Sequence, residues 1–492
     1  MGAHAQWHCG RSQRFHRPAR REGRLASRRV SIDGLVGRRI DGDPCLASPG
    51  ICFFPESVPK GGRPLSRLTR ILATIGPASA ELSRELVEAG ADCIRVNLSH
   101  GDASWHREGS LRALSAGAAL LLDLPGPKIR LGPFEGVRSL VRHDQVVLRP
   151  ESLAQGDELP LPKEIFSGLC VGNVVAMVDG RVRCHVLEVE TDRAVLEVRR
   201  SGEVRGRQGV SLPGADLSLP SFTEADALGC ALAREIKPHW VAISFVCSAA
   251  DVQKVRAEVP PETRLIAKIE TARAMDRLDE IASAADALMI ARGDLGAELD
   301  LPEVPAAQHR IVQSARRVGK PVVLATQVFE SMHEHAVPTR AEVSDAAHGV
   351  AAGMDAVMLS GESAVGAHPI AAVETLARVL AAAEEANFEA VAHPPTSPQV
   401  ASVLVAARDH AWIGLGPGAV KLAAPLAAAR TGKHILVRVA RLPGRGLMRG
   451  VHRSVDPPSV LAQRLGLDPA EGLEVEIDGN GRLALMGRRF DA

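Results

Sequence analysis

Residues 265–294, LIAKIETARAMDRLDEIASAADALMIARGD, contain two apolar, β-rich runs separated by a helical pattern. The runs are LIAKIE (265–270) and ALMIARGD (287–294), and AMDRLDEIASAA (274–285) lies between them. Strand, helix and strand in this order are typical of a βαβ unit, in which the two strands are parallel. This unit therefore predicts the α/β fold class.

Six further runs of the same kind flank this unit, and helical patterns follow most of them. Eight parallel strands with intervening helices favour a closed (β/α)8 barrel, the TIM barrel, over an open sheet. The six runs are ILATIGP (71–77), CIRVNLS (93–99), ALLLDLP (119–125), WVAISFV (240–246), VVLATQV (322–328) and AVMLSGES (356–363).

A different pattern interrupts the series between the third and the fourth run. Segments such as DQVVLRP and RAVLEVRR alternate Val or Leu with polar residues, as antiparallel strands do. Because the loops after barrel strands form the mouth of the barrel, an all-β insertion there is positioned to act as a lid. The predicted domains are a basic leader (1–65), a catalytic barrel (66–136 and 220–388), an inserted β lid domain (137–219) and a divergent C-terminal domain (389–492).

Charge and composition limit the partners of this chain. Residues 1–42 carry ten Arg against three acidic residues, a balance of +7, so the remainder carries −6 of the net +1. The body therefore gives no indication of nucleic-acid binding, and no apolar run approaches the roughly 18 residues of a membrane span. We expect a cytoplasmic protein, although the Arg-rich leader is also compatible with organellar targeting, a disordered tail or a start codon placed too far upstream.

Polar and ionisable residues gather at the carboxyl ends of the predicted strands, where apolar runs have no structural use for them. Because these ends meet at one mouth of a barrel, their side chains are expected to share a site. Arg130 adds a further cation near this mouth, with a surface salt bridge as the alternative role. The residues at the strand ends are Arg95, Asn97, Ser99, Asp123, Ser244, Lys268, Glu270, Asp294, Thr326 and Glu362.

Two carboxylates and a lysine indicate the chemistry of this mouth. Glu270 and Asp294 end the fifth and sixth runs and offer oxygen ligands for Mg²⁺, with ion pairing as the competing role. Lys268 alternates with Glu270, so both side chains face the barrel interior. We interpret Lys268 as a clamp for a transferring phosphoryl group rather than a counter-charge. Gly293 lets a backbone amide approach an anion, unless it only makes a tight turn.

Ten motifs in chain order, from Ile71 to Ala386, resemble the pyruvate kinase family. Each motif alone is weak, but the ordered set falls largely at predicted strand ends and is specific. The motifs are ATIGPAS (73–79), RVNLSHG (95–101), GPKIRLG (126–132), GVSLPGADLSLP (209–220), SFV with AADV (244–252), KIE (268–270), ARGDLGAEL (291–299), GKPVVLATQVFESM (319–332), PTRAEVSDAAHGV (338–350) and MLSGESAVG (358–366).

The resemblance implies a homo-oligomeric glycolytic enzyme that transfers the phosphoryl group of phosphoenolpyruvate to ADP, giving pyruvate and ATP. It implies Glu270 and Asp294 as ligands of Mg²⁺ or Mn²⁺. The implied catalytic residues are Lys268, Arg95, Thr326 and Glu362, the last two near the protonated carbon of the pyruvate enolate. The implied substrate contacts are Arg95, Ser244, Gly293, Asp294 and Thr326, and the implied nucleotide contacts are Arg130, His100, Asn97, Arg207 and the lid residue Asp179.

The chain departs from the family pattern at the monovalent-cation site. Many family members bind K⁺ at the positions that match Asn97, Ser99, Asp123 and Leu124. Here Lys128 replaces a family Glu and resembles the K⁺-independent branch, in which an ammonium group supplies the monovalent charge. We therefore predict activity without K⁺.

Two further departures concern the nucleotide and the C-terminal region. Gln208 stands where the family usually has a phosphate-binding lysine, which puts ADP affinity in doubt unless Arg207 compensates. Residues 389–492 do not resemble the family's C-terminal αβ domain, although EVEIDGNGRLAL (474–485) predicts a hairpin around Asn480 and Gly481.

Two other functions remain open. A catalytically weakened, phosphoenolpyruvate-binding regulatory relative would account for Gln208 and for the altered C-terminal region. A lyase or aldolase that acts on pyruvate enolate would use the same pair of carboxylates and the same metal. Such an enzyme has no need of Asp179 on an inserted domain that faces Arg130, so the lyase is disfavoured.

Overall fold

The computed structural model describes residues 67–215, 220–386, 412–415, 434–438, 451–454, 472–477 and 483–487, together with Pro458. The strands, in chain order, are β1 (Arg70–Ile75), β2 (Cys93–Asn97), β3 (Ala119–Asp123), β4 (Arg138–Leu140), β5 (Gln145–Pro150), β6 (Leu159–Leu161), β7 (Val174–Met177), β8 (Val182–Glu190), β9 (Arg193–Arg200), β10 (Gly202–Val204), β11 (Val210–Ser211), β12 (Trp240–Ile243), β13 (Arg264–Ile269), β14 (Ala287–Ala291), β15 (Val322–Ala325), β16 (Ala356–Leu359), β17 (Trp412–Leu415), β18 (His434–Arg438), β19 (Val451–Ser454), β20 (Gly472–Ile477) and β21 (Leu483–Gly487).

The α-helices begin and end as follows: α1 (Ser83–Ala89), α2 (Ala103–Ser115), α3 (Glu224–Ile236), α4 (Ala249–Glu258), α5 (Ala272–Asp276), α6 (Leu278–Ala284), α7 (Arg292–Glu298), α8 (Val304–Arg317), α9 (Arg340–Ala352), α10 (Gly361–Ala364) and α11 (Pro369–Glu385). Short 3-10 helices cover Lys163–Gly168, Leu301–Glu303 and Glu330–His333. Among the helices of the described segments, none is both long and apolar enough to cross a membrane.

Eight parallel strands close into a barrel in the order β1, β2, β3, β12, β13, β14, β15, β16. Strand β3 pairs directly with β12, with Leu121 opposite Trp240. Strands β4 to β11, which lie between them in the sequence, are therefore not part of the barrel. The predicted (β/α)8 fold is therefore confirmed.

The barrel interior is a packed core because alternate residues of each strand face inward. On β1, Leu72 lies in the interior cluster, whereas Ile71 and Ala73 belong to the layer between strands and helices. Small inward residues leave room for the ring of Trp240. Polar groups are thus left to the barrel ends. The interior cluster consists of Leu72, Cys93, Ala119, Leu121, Trp240, Ala242, Ile266, Ala287, Met289, Val323, Ala325, Ala356 and Met358.

Strands β4 to β11 form a separate all-β domain between β3 and α3. Six of them make a sheet in the order β11, β7, β8, β9, β5, β6, and β4 pairs with β10. Their apolar side chains pack into a core of their own, which includes Leu148, Met177 and Leu196. The inserted β domain is as predicted. Its exact limits remain a prediction, and residues 216–219 lie outside the described residues.

Strands β17 to β21 form a further sheet in the order β19, β18, β17, β20, β21. The first four are mutually parallel, and β21 runs antiparallel to β20 with Leu483 opposite Ile477. The predicted hairpin pairing is confirmed, although Asn480 and Gly481 lie outside the described residues, as does the leader. Sequence reasoning missed the parallel part of this sheet because its strands are short and stand among Gly- and Pro-rich segments.

Several predicted runs extend beyond the strands that form. Strand β12 stops before Phe245 and β15 before Thr326, because both residues adopt left-handed backbone conformations, with φ of 56° and 63°. The placement of Asp294 and Glu362 at strand ends was wrong. Helices α7 and α10 begin directly after β14 and near the end of β16, so these carboxylates lie in first helical turns.

Candidate active site

Asp123, at the end of β3, is the centre of a buried charge network at the barrel mouth. Its Oδ2 accepts a 2.7 Å hydrogen bond from Arg95 Nε, and its Oδ1 lies 3.3 Å from Lys268 Nζ. Burial alone would raise the pKa of Asp123, but the charges of Lys268 and Arg95 outweigh it and hold this pKa below its ordinary value. Asp123 is therefore ionised and fixes two cations at the mouth.

Lys268 projects from β13 into the same network. Its Nζ donates to Ser244 Oγ at 2.8 Å and lies 3.0 Å from Glu270 Oε1. Burial lowers the pKa of Lys268, but Asp123 and Glu270 have the larger combined effect and raise it. The lysine is therefore protonated, and the structure brings it together with Ser244, Asp123 and Glu270 as the strand pattern predicts.

Glu270 has one carboxylate oxygen to spare. The side chain is fully buried, and Oε2 accepts a 2.6 Å hydrogen bond from the Phe245 amide. Oε1 lies near Lys268 Nζ, but it has no well-oriented hydrogen bond from any residue that the structure describes. Burial raises the pKa of Glu270; Lys268 opposes this and Asp294 adds to it. A buried oxygen with unused lone pairs beside a second carboxylate fits a divalent cation.

Asp294 is the second carboxylate, and its present partner is Lys128. Asp294 Oδ1 accepts a 2.7 Å hydrogen bond from Lys128 Nζ, and both side chains are partly exposed. The sequence did not predict this pair. Within the described segments, no group of three or more His, Cys, Asp or Glu side chains is arranged to hold a metal. Glu270 and Asp294 would thus need substrate and water oxygens to complete a Mg²⁺ shell, which is usual for this ion.

Thr326 and Gln327, after β15, have positive φ values of 63° and 53°. Arg292 holds this turn: its Nε and Nη2 donate to Thr326 O at 3.1 and 2.9 Å, and Nη2 also donates to Gln327 O at 2.8 Å. Arg292 Nη1 in turn pairs with Asp345 of α9. Backbone strain of this kind persists only where the surroundings enforce it, and it is concentrated at functional sites. Sequence reasoning missed this role of Arg292, for which no local signal exists.

Gly293 and Thr326 lie side by side. The Gly293 amide donates to Thr326 Oγ1 at 2.8 Å. A Cβ added at Gly293 would meet only Thr326, at an ordinary distance of 3.6 Å, so packing does not require glycine here. Open space beside this backbone suits the close approach of a ligand.

Glu362 is buried and engaged by the backbone. Its Oε1 accepts from the Phe329 amide at 3.0 Å and its Oε2 from the Ser360 amide at 2.7 Å. Both oxygens therefore hold the loops after β15 and β16 in place. A role of Glu362 in protonation stays a prediction.

Three of the residues predicted to bind nucleotide, His100, Arg130 and Arg207, lie close to one another. Burial lowers the pKa of His100, and the charges of Arg130, Arg95 and Lys128 lower it further, so these three cations lie near His100. Arg130 Nη1 donates to Arg207 O at 3.1 Å. The Asn97 side chain caps its own turn by accepting from the Ser99 amide at 3.2 Å.

Asp179 lies exposed in a strained turn of the inserted domain. Val178, Asp179 and Gly180 have φ values of 54°, 52° and 80° in succession, and a β-branched valine rarely adopts such a conformation. A Cβ on Gly180 would lie 3.1 Å from Ala297 Cα, so the turn rests directly on α7. The helix that carries Asp294 thus supports the turn that carries Asp179.

Comparison with known proteins identifies the family. The family model described as "Pyruvate kinase, barrel domain" matches residues 66–373. A pyruvate kinase of Methylorubrum extorquens is 43% identical over 326 residues, which cover 64% of this chain and 68% of the relative. The chain belongs to the pyruvate kinase family. A pyruvate kinase of Mycobacterium intracellulare is 41% identical over 361 residues, with 70% and 76% of the two chains covered.

Structural similarity to the pyruvate kinase family extends further than sequence similarity. A crystal structure of a pyruvate kinase from Cryptosporidium parvum matches with a TM-score of 0.77 and 28% identity, covering 87% of this chain and 97% of that chain. Barrel and inserted domain make up about two thirds of this chain, so the match reaches into the C-terminal region.

Membership in the pyruvate kinase family confirms several sequence predictions. The chain is an enzyme of the phosphotransferase class, with the barrel fold that was predicted. Dependence on a divalent metal, and phosphoenolpyruvate, ADP and pyruvate as reactants, follow from the family.

Proposed function

We propose that this chain transfers the phosphoryl group of phosphoenolpyruvate to ADP, with Glu270 and Asp294 holding Mg²⁺ or Mn²⁺. The observation that carries the proposal is the buried Glu270 Oε1, which lacks a well-oriented hydrogen bond in the described segments. Asp294 is close enough for its negative charge to raise the pKa of Glu270. When bound, the cation would neutralise charge on the phosphoryl oxygens.

Lys268 would stabilise the charge that develops on the transferring phosphoryl group. Its raised pKa keeps it protonated, and its bonds to Ser244 and the nearby Glu270 fix the ammonium before substrate arrives. Such preorganised charge acts most strongly in a site that excludes water. Arg95 would add a second cation for the phosphate, held in place by Asp123.

Thr326 and Gly293 would orient the carboxylate end of the substrate. The hydroxyl of Thr326 and the amide of Gly293 are already hydrogen-bonded to one another, so their positions are set by the fold. Protonation of the pyruvate enolate would occur near Thr326. We assign Glu362 a positioning role here, because both its oxygens accept from backbone amides.

We propose further that the enzyme needs no K⁺. Both oxygens of Asp123 already face cations, and Leu124 offers no side-chain oxygen while its carbonyl accepts from Ser244 Oγ at 2.7 Å. Of the other positions that match K⁺ ligands, Asn97 already uses its Oδ1 to accept a 3.2 Å hydrogen bond from the Ser99 amide. Lys128 provides a fixed positive charge, and it lies against Asp294.

The nucleotide would bind between barrel and inserted domain. Arg130 and Arg207 would meet the ADP phosphates, His100 and Asn97 would lie nearby, and Asp179 would face them from the inserted domain. A homo-oligomeric, cytoplasmic enzyme is proposed from the family resemblance. One observation favours the weakened regulatory relative as a second candidate: Gln208 Oε1 accepts from the Arg205 amide at 2.7 Å, so the usual cation is replaced by a turn-stabilising amide.

An assay of pyruvate formation tests the proposal. The full-length chain is stripped of metal with EDTA and supplied with phosphoenolpyruvate and ADP, with and without Mg²⁺, in K⁺ or tetramethylammonium buffer. We expect activity only with Mg²⁺, and less than about tenfold stimulation by K⁺, which equals about 1.4 kcal/mol in the barrier. Metal-dependent phosphoenolpyruvate binding without turnover would instead indicate the regulatory relative.

Matched variants locate the metal. Glu270→Gln and Asp294→Asn keep the shape of the side chains and remove one charge each. Both are expected to weaken binding of Mn²⁺, followed by electron paramagnetic resonance, whereas Glu262→Gln changes an exposed carboxylate of the barrel and should leave it unchanged. Unaltered Mn²⁺ binding in both site variants would contradict the assignment.

A further inference from the structure

Two arginines of the inserted domain reach the barrel from neighbouring positions. Arg181 pairs with Glu330 at 2.8 Å, but these side chains are 65% and 46% exposed. Arg183, in β8, is only 16% exposed, although its partner Asp300 is 74% exposed. Arg183 makes three contacts at the end of α7 and just after it. Its Nη1 bonds to Asp300 Oδ1 at 2.7 Å, and its Nη2 donates to Ala297 O and Leu299 O at 3.0 and 2.8 Å.

The contacts of Arg183 differ in kind from an ordinary surface salt bridge. The last carbonyl groups of a helix have no partner within the helix, and a cation placed there satisfies them and interacts favourably with the helix dipole. Arg183 supplies such a cation from another domain. Exposed pairs such as that of Arg181 contribute about 0–1 kcal/mol, whereas shielded, charge-assisted hydrogen bonds are roughly twice as strong as neutral ones.

Helix α7 links this contact to the candidate metal site. The helix is only seven residues long, with Asp294 in its first turn and the contact with Arg183 at its end. Gly180 packs on the same end, beside Gly296 and Ala297. The strained turn that holds Asp179 is therefore held against α7 at Gly180, and the Arg183 bonds follow three residues later.

A second arginine supports the turn from within the inserted domain. Arg200 faces Arg183 across β8 and β9, and its Nη1 donates to Gly180 O at 3.2 Å. The left-handed conformation of Val178 requires such external support, because it is unfavourable by about 1–3 kcal/mol on its own. The turn is also closed by a 3.0 Å hydrogen bond from the Arg181 amide to Val178 O, and Gly180 packs on α7. The attachment of Arg183 to α7 adds to these supports.

We propose that Arg183 is a latch that fixes the inserted domain on the end of α7 and thereby sets the position of Asp179 relative to Asp294. Arg183 is a positioning residue, since it acts through α7 and the turn. The proposal rests on the proposed function only in taking Asp179 as a nucleotide contact. Loosening the latch should therefore affect ADP more than phosphoenolpyruvate.

Hydrogen–deuterium exchange of the full-length chain without substrates tests the latch directly. Arg183→Met keeps most of the aliphatic stem and removes the guanidinium. We expect amide exchange in segments 178–184 and 295–300 to rise about tenfold or more, as local opening becomes easier. Arg181→Met is the matched control, with exchange within about twofold of the wild type. Wild-type exchange in Arg183→Met, or an equal rise in Arg181→Met, would overturn the proposal.

Kinetics supply the second readout. Arg183→Met should raise the KM for ADP about tenfold with a smaller change in kcat and in the KM for phosphoenolpyruvate, and Arg183→Lys should recover part of the loss. If the KM for ADP, the KM for phosphoenolpyruvate and kcat all worsen by the same factor, Arg183 has a general structural role and the latch is rejected. If Arg183→Met does not fold, Asp300→Ala removes one of the three bonds from the barrel side and should show the same pattern at smaller size.

The two proposals fail in distinguishable ways. A wild-type chain that forms no pyruvate defeats the proposed function, while the exchange experiment still decides whether Arg183 holds the inserted domain. An active wild type with unchanged exchange in Arg183→Met defeats only the latch.

Discussion

The barrel mouth and the inserted domain hold their candidate functional residues in opposite ways. At the mouth, Asp123 and Glu270 are buried, and Lys268, 12% exposed, pairs with both. Strand closure fixes their positions. In the insertion, Asp179 and Arg207 are exposed and have positive φ values. The positions of their side chains depend on how the inserted domain packs on the barrel. Substitutions at the mouth should therefore alter the rate of chemistry, whereas those in the insertion should alter ADP binding.

Removing the central lysine of the mouth is expected to give the largest effect. Lys268→Ala takes away the ammonium that we propose stabilises the phosphoryl group, so kcat for pyruvate formation should fall about 10³-fold or more. Metal-dependent enolisation of pyruvate, followed by NMR as exchange of its methyl protons with deuterium, should fall much less. That reaction moves a proton without phosphoryl transfer.

Lys254→Ala is the control for the lysine, since Lys254 is exposed on α4 of the same barrel. Its activity should stay within about twofold of the wild type. Equal loss of phosphoryl transfer and enolisation in folded Lys268→Ala would remove the specific role of this lysine. The mouth would then act only as a rigid metal platform.

The next largest effect is expected at Arg292, which donates hydrogen bonds to backbone carbonyl groups of the turn after β15. Arg292→Met removes its bonds to Thr326 O and Gln327 O and leaves Asp345 without its cation. Because Asp345 is 38% exposed, its ion pair with Arg292 is screened by solvent, so loss of these bonds should lower the free energy of unfolding by about 1–3 kcal/mol. Release of the strained turn should lower kcat about 10²-fold. Urea unfolding and steady-state kinetics measure the two effects.

Asp345→Asn separates the two functions of Arg292. It removes the ion pair and leaves the bonds to the Thr326 and Gln327 carbonyls in place. We expect a loss of stability with kcat reduced by less than about fivefold. If Asp345→Asn lowers kcat as much as Arg292→Met, the strained turn is not what Arg292 contributes to the rate.

The same contrast explains what could be predicted from the sequence. Lys268 and Glu270 are two residues apart in the run LIAKIE, so strand alternation alone predicts a shared face. Lys128 and Asp294 are 166 residues apart, and only the closed barrel and the α7 turn bring them within 2.7 Å. Local patterns cannot report such pairs.

Backbone conformation set a second limit on prediction. The run VVLATQV contains a β-branched threonine that favours a strand, yet Thr326 turns left-handed because Arg292 and Gly293 hold it there. Arg183 was missed for a related reason. In sequence it is one polar residue in the alternating strand β8, and its partners are mostly backbone carbonyls of a distant helix.

A smaller effect, on stability and its pH dependence, is expected where the two regions meet. Burial raises the pKa of Glu298 to about 7; the Ala272 amide and Arg183 oppose this shift and Asp294 adds to it. Because the native pKa exceeds the ordinary value of 4.5, the native state binds the extra proton. This contribution is fully present below about pH 4.5 and is lost as pH rises through about 7.

Glu298→Gln should remove this pH dependence. The free energy of unfolding, measured in urea at pH 5.5 and pH 8.5, should fall less with pH than in the wild type, by on the order of 1–3 kcal/mol. Glu262→Gln, at an exposed carboxylate, should retain the wild-type slope. A Glu298→Gln slope equal to that of the wild type would contradict the raised pKa.

The smallest effect is expected from restoring a cation in the inserted domain. Gln208→Lys places an ammonium where the family usually has one, and it should lower the KM for ADP about two- to fivefold while leaving the KM for phosphoenolpyruvate unchanged. The gain is limited because Gln208 Oε1 now accepts from the Arg205 amide, and lysine cannot replace that bond. Steady-state kinetics at low and high ionic strength check the prediction, since an electrostatic gain should shrink with salt. Gln208→Met, which loses the same bond without adding charge, isolates the two contributions. If both variants raise the KM for ADP alike, the turn at Arg205 matters more for nucleotide binding than any charge at position 208. The inserted domain would then contribute through its backbone conformation rather than through a cation at this position.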